Sequence, residues 1–462
     1  MKLQAAILGL YASSCAAFSP TFQTQRRSAS RPSSSSFSSP RTSTGTGSAL
    51  NQYAQTMGGA INLADEYAPR DVYGMEQWAQ QYGLQKADGV ELYSDDGADY
   101  QLVAQNGVAA GQMILYVPSD IILSSNGVAE EFGGAIAQAE QVLVQMDQGT
   151  QKRLPLFRLM AKILNEYDQG ENSPFYPWLA SLPRQYYNGV SMTDACFACL
   201  PPYAGWLTSN ERNNYHFFVA ALRKGYVQLN SVHDEKAVMW AYNVAFTRFE
   251  EVWSPSRQKL IAPMADMINH SAEPNCQISF DDMGNCQVTA LYDIPPGTPI
   301  TKSYGDPTNP TPIFAQYGFL PQDCATLFCK AMHLEPQIKE LGFDFKDLLI
   351  QTQTGEIAPK VWDIFLYKIL QDNDPGAAEQ FYVACKTNDE GGKQQYHDNY
   401  FQYTLDALKT HVYGILSDVE NLTAKAQTYD LQTHPRVPVI VAHNTLVRDT
   451  FSMTAALLEQ MG

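Results

Sequence analysis

The sequence has no surplus of basic residues: 31 Lys and Arg stand against 48 Asp and Glu, a formal charge of -17. That balance argues against nucleic acid or an anionic membrane surface as a partner, since either would repel the chain. A basic protein surface or a cationic ligand is the better match. Cysteine is sparse too, eight in 462 residues. Without Cys15, which falls in a presequence, the remainder is odd in number and scattered, so the thiols are read as reduced rather than as a disulfide framework. Cys196 and Cys199 form a CxxC, but no second Cys pair or His pair follows at zinc spacing, and they read as two half-buried thiols beside a Pro-Pro turn. No metal site is expected. Long hydrophobic runs are missing as well; LQAAILGLYASSCAAF, after Lys2, is too short to anchor the chain in a bilayer. There is no internal repeat.

The first 64 residues contain no acidic side chain before Asp65. Residues 1–17 have the short apolar core and small residues of a signal peptide. Residues 18–64 have the Ser-, Thr- and Arg-rich composition of a transit peptide. Together they resemble the bipartite presequence of algae whose plastids are wrapped in extra membranes, with Phe18 just past Ala17 at the cleavage point. Plastid (chloroplast) import is therefore expected; a signal peptide followed by a disordered Ser-rich linker is the other reading.

What remains is 45% hydrophobic and 11% aromatic over the whole chain, enough for two or three packed domains. Helical spacing of Met75, Trp78 and Ala79 predicts a helix over 72–83. QLVAQNGVAAGQMILYVPSDIIL reads as strand, turn, strand, ending near Pro118. Helical periodicity then runs from about 129 to 245, with candidate helices at 132–146, 155–167, 214–229 and 235–249. After Pro263, CQISF and CQVTALY flank DDMGN, a hairpin in which Gly284 and Asn285 are expected to supply left-handed backbone. A short helix is expected in NPTPIFAQYGF, and four more at 359–370, 376–387, 396–418 and 437–458.

Three polar pieces line up across the second half: Arg248 in FTRFE, the turn MADMINHSAEPNC holding Asp266, Asn269 and His270, and SYG followed by QYGF, holding Tyr304 and Tyr317. Taken singly each has an ordinary explanation. Asn269 and His270 suit a turn, Tyr304 suits a strand end, and Arg248 suits a pair with Glu250 or Glu251 on a solvated helix face. In this order and spacing, with DIPPG and Asn309, they resemble the SET-domain protein methyltransferases, in the branch of the Rubisco large-subunit lysine methyltransferase and its actin-histidine-methylating relatives. The resemblance spans roughly residues 72–460 and is most specific from Ala262 to Leu320.

The resemblance implies an α+β chain: a SET core of short strands with a knot-like crossing, split into 72–125 and 251–322 around a helical insert at 126–250, then an all-α substrate-binding domain at 323–462. It implies that Asn269 and His270 hold the adenine end of S-adenosyl-L-methionine, that Asp266 steadies that turn, and that Arg248 reaches the methionine end. Tyr304 would line the methyl-transfer pore, with Tyr317 in the same wall. The implied activity is protein-lysine N-methylation of a plastid protein, Rubisco large subunit among the candidates, by a monomer. Histidine methylation, and a degenerate module that binds protein without methylating it, are the alternatives. One feature departs from the family: the Gly-x-Gly expected ahead of its Leu-x-Ala strand is replaced by Asp99, Tyr100 and Gln101. Gly brings backbone close to a ligand where a Cβ obstructs it, so the replacement bears directly on cofactor binding; a shifted loop at Gly97 is the compensation available.

Overall fold

The structure is a computed structural model that describes residues 61–225, 227–253, 257–321 and 324–462. The signal-peptide and transit-peptide expectations for residues 1–60 lie outside the described residues. Among the described residues no helix is long and apolar enough to cross a membrane.

The chain opens with α1 (Val72–Gln81), whose start is fixed by Asp71 accepting the Gly74 N–H and whose buried face is Val72, Met75, Trp78 and Ala79. The first sheet has the order β1 (Gln85–Lys86), β4 (Met113–Val117), β10 (Cys286–Ala290), β9 (Cys276–Phe280); the second has β11 (Thr298–Pro299), β3 (Gln101–Ala104), β2 (Val90–Tyr93). Residues before 118 thus share sheets with residues after 275, and everything between is an excursion. It holds α2 (Ser125–Phe132), α3 (Gly134–Met146), α4 (Leu154–Gln169), α5 (Pro202–Lys224) and α6 (Glu235–Arg248). The helix expected at 214–229 begins instead at Pro202, because proline at the first turn loses no needed N–H, and it ends at Lys224. A three-stranded sheet of β5 (Leu123–Ser124), β7 (Gln258–Ile261) and β6 (Glu250–Val252) carries the chain back; β6 and β7 alternate too little to be read from sequence.

The β9–β10 hairpin has Cys286 opposite Phe280 and Ala290 opposite Cys276. Gly284 adopts φ +82, but Asn285 does not take left-handed backbone. Its side chain instead binds Asp281 and accepts the Ser119 N–H at 2.9 Å, tying the hairpin tip to the end of β4. A two-residue parallel pair, β8 (Asn269–His270) with β12 (Thr301–Lys302), completes the SET part. α7 (Pro310–Tyr317) follows, capped by Asn309.

The C-terminal region is mainly helical: α8 (Pro359–Asn373), α9 (Pro375–Thr387), α10 (Glu390–Ala426) and α11 (Val437–Gln460), with one antiparallel pair, β13 (Thr326–Phe328) and β14 (Leu349–Gln351). Its core, around Phe365, Phe381 and Phe451, is joined to the rest by a small cluster in which Cys196, Cys199, Phe314, Val437 and Ile440 pack together. The CxxC pair is thus packed away in an apolar joint. All seven described cysteines are free.

Candidate functional site

Met264 sets the site up. It holds φ +71 although it is not glycine and is fully buried, a conformation that persists only where surroundings over-determine it. The reversal turns the short 3₁₀ segment Ala265–Met267 so that Asp266 points inward. There one carboxylate oxygen accepts from Trp178 Nε1 and from the Arg248 guanidinium, each at 3.0 Å. Arg248 and Asp266 are each 2% exposed, so the expectation that Arg248 pairs with Glu250 or Glu251 on a solvated face does not hold. Burial would depress the Arg248 guanidinium; Asp266 and Tyr186 outweigh it and hold the group above its ordinary value.

Next along the chain, β8 lies beside β12 with Asn269 level with Thr301 and His270 level with Lys302. Asn275 locks the pair: it accepts the Thr301 N–H at 2.7 Å and donates to the Pro299 carbonyl at 2.8 Å. Two residues past β12, the Tyr304 N–H donates to His270 Nδ1 at 3.0 Å and its hydroxyl donates to the Ile268 carbonyl at 2.8 Å. The His270 and Tyr304 rings are 5.2 Å apart. Tyr317, from the end of α7, brings its ring to 4.7 Å from Tyr304. Phe319 closes the group, 6.0 Å from His270 and 6.1 Å from each tyrosine. Gly318 places these last two: its φ is +79, and a Cβ there would lie 2.3 Å from the Tyr187 carbonyl carbon. Behind the rings, Glu250 pairs with Lys302, and burial, opposed by Lys302, raises the Glu250 carboxyl.

The structure therefore brings His270, Tyr304 and Tyr317 into one aromatic-walled corner, with Asn269 next to His270 on β8 and Arg248 held by Asp266 three residues before Asn269. Burial pulls His270 down to about 4, so the ring is neutral at pH 7. Because Nδ1 accepts from Tyr304, the ring proton sits on Nε2. That N–H is buried without a partner, as is Asn269 Oδ1. Buried polar atoms are normally satisfied, and an unsatisfied donor and an unsatisfied acceptor on neighbouring residues of β8 are groups that a ligand could satisfy. Asp99, Tyr100 and Gln101 keep φ negative; Gln101 stands on β3 opposite Tyr93, and Tyr100 lies under the Arg70 guanidinium, 5.0 Å from it.

Residues 99–305 match the family model described as SET domain. Over those residues the chain is similar to the SET domain. It is 23% identical over 246 residues to human SET domain-containing protein 4, covering 48% of this chain and 52% of that one, and 24% identical over 284 residues to bovine N-lysine methyltransferase SETD6, covering 54% and 57%. The chain thus spans about half the length of the curated relatives it matches. Its fold follows that of the SET domain of LSMT bound to lysine and AdoHcy, with TM-score 0.59 and 15% identity over 84% of this chain and 91% of that one. Rubisco LSMT bound to AdoMet gives 0.54 and 14% over 85% and 92%. Both comparisons cover most of this chain, the helical C-terminal region included in part. Sequence reasoning missed Trp178, Arg70 and Asn275. Only the last had a signal, an Asn-rich turn directly before a strand.

Proposed function

We propose that this chain is an S-adenosylmethionine-dependent protein-lysine N-methyltransferase acting on a plastid protein. The observation that carries the reading is the unsatisfied pair in the SET corner, Asn269 Oδ1 and His270 Nε2–H, beside the Tyr304, Tyr317 and Phe319 rings. A nucleoside carries N–H donors and ring-nitrogen acceptors that can satisfy each of these atoms. Asn269 and His270 would hold the nucleoside, and Arg248 the amino-acid end. When bound, the cofactor supplies an electrophilic sulfonium methyl.

The chain's own residues do the rest. The aromatic wall excludes water and strips solvation from an entering lysine, which favours its neutral amine. Deprotonating a free lysine at pH 7 costs about 4.6 kcal/mol, whereas alignment of reacting groups supplies about 7–11 kcal/mol. Positioning is the larger effect, so a strong base is not required. The Tyr304 hydroxyl, held by its bond to the Ile268 carbonyl, would stand at the amine and orient it. Support for the plastid comes from the composition of residues 1–64, and support for a lysine-bearing partner, Rubisco large subunit included, from the charge of -17 and the helical C-terminal region.

Calorimetry with S-adenosylmethionine, followed by mass spectrometry of plastid extract incubated with isotope-labelled cofactor and the chain, tests this. Binding and a labelled lysine peptide are expected. No heat at millimolar cofactor would leave a protein-binding module, the reading that Asp99 and Gln101 in place of the two glycines favour; a labelled histidine would move the activity to that side chain.

A further inference from the structure

A second guanidinium stands beside Arg248. Arg70, just ahead of α1, donates from Nε to the Ser181 carbonyl at 2.7 Å and from Nη1 to the Ala98 carbonyl at 2.5 Å. Its Nη2 reaches Met267 Sδ at 3.5 Å, and Arg248 Nη1 approaches the same sulfur at 3.6 Å. Two cations therefore flank one thioether. Burial, with the Arg248 charge second, pulls Arg70 down to about 10, partly opposed by Asp99.

Anions to offset them are few. Asp266 contacts Arg248 but shares that oxygen with Trp178. Asp99 acts on Arg70 from the loop side. Arg248 Nε, on a side chain 2% exposed, has no acceptor. Arg70 has used one N–H each of Nε and Nη1 on carbonyls, which leaves further N–H groups on its fork. Paired guanidiniums with unspent N–H groups, Arg248 buried and Arg70 half-buried, match a carboxylate, which takes two parallel bonds from such a fork.

We infer that Arg70 joins Arg248 in gripping the carboxylate of the cofactor's amino-acid end, and that Arg70 stacked on Tyr100 does the loop-shaping that the missing glycines would otherwise do. The inference rests on the cofactor reading above. The loop reaches Asp99 without strain because the left-handed turn has moved to Gly97 (φ +74), closed by Asp96 accepting the Ala98 and Asp99 N–H groups at 2.8 and 3.0 Å. Arg70 then clamps the Ala98 carbonyl, so the side chain that would hold the ligand also fixes the loop beside it.

The test is calorimetry on the full chain with two ligands: S-adenosylhomocysteine, and S-adenosyl-3-thiopropylamine, which lacks only the carboxylate. Arg70→Gln is expected to weaken the first by about 10-fold or more beyond its effect on the second, whose smaller loss reads the loop contact alone. Arg70→Lys, which keeps the charge and guards against a folding defect, is expected to fall between. Equal loss on both ligands would make Arg70 a strap on the loop and overturn the inference, as would no loss on either. Wild-type chain that binds S-adenosylhomocysteine with Arg70→Gln unaffected sinks the Arg70 assignment alone. Wild-type chain that binds neither ligand removes the cofactor reading together with it.

Discussion

Asp266→Asn isolates the charge at the centre of the site. The substitution keeps the shape, and the amide oxygen still accepts from Trp178 Nε1, so the 3.0 Å bond there survives. What disappears is the counter-charge of Arg248, a side chain 2% exposed. Removing one partner of a buried pair costs about 3–5 kcal/mol, because the other charge stays buried uncompensated, whereas removing both costs far less. Asp266→Asn is therefore expected to lose about 3–5 kcal/mol, and the double variant Arg248→Met/Asp266→Asn to recover most of it. Urea unfolding followed by tryptophan fluorescence, with circular dichroism as a second probe of two-state behaviour, measures both. A loss under about 1 kcal/mol for the single variant, or a double variant no better than the single, would refute the reasoning.

Three further outcomes are expected. Burial holds His270 and His411 at about 4 and His443 at about 3, so the unfolded chain takes up protons below its ordinary 6.5 while the folded chain does not. Their stabilising share is complete above pH 6.5 and drains as pH falls toward 4; between pH 7.5 and 5 each contributes a loss of about 2 kcal/mol, and a flat urea midpoint over that range would contradict it. Lys330 is buried against Tyr203 and Thr311, and burial lowers it to about 8. Lys330→Met should gain about 1–3 kcal/mol at pH 7, with the gain fading as pH rises past 8 and the wild-type amine sheds its proton; a loss on substitution at pH 7 would be the contrary result. Gly318→Ala puts a Cβ 2.3 Å from Tyr187 at φ +79 and should cost at least about 2 kcal/mol, read by thermal unfolding; a neutral effect would mean that the Tyr317–Phe319 bend is not fixed there.

The ordered motifs carried the site's inner residues because each is locally encoded: a turn with Asn269 and His270, a strand end with Tyr304, a short helix with Tyr317. The partners that hold them were not legible for the opposite reason. Trp178 binds Asp266 from 88 positions away, and Arg70 reaches Met267 across 197; nothing in the spacing of either tryptophan or arginine announces such a meeting. The helix start at Pro202 was missed although a first-turn proline is a local signal, and the hairpin tip failed at Asn285, where a side chain that accepts and donates did more than a backbone twist. The replacement of the Gly-x-Gly was visible in the sequence, but its remedy was not, since Gly97, Asp96 and Arg70 share the task.

The parallel ladder of β8 and β12 joins only two residue pairs, yet these stand about thirty positions apart, with a complete hairpin between them. Such a seam has too little of its own to form early; the intervening strands must already be in place before it can close. Helix content is thus expected to recover before the His270 and Tyr304 rings meet, so it would be a poor gauge of a finished site.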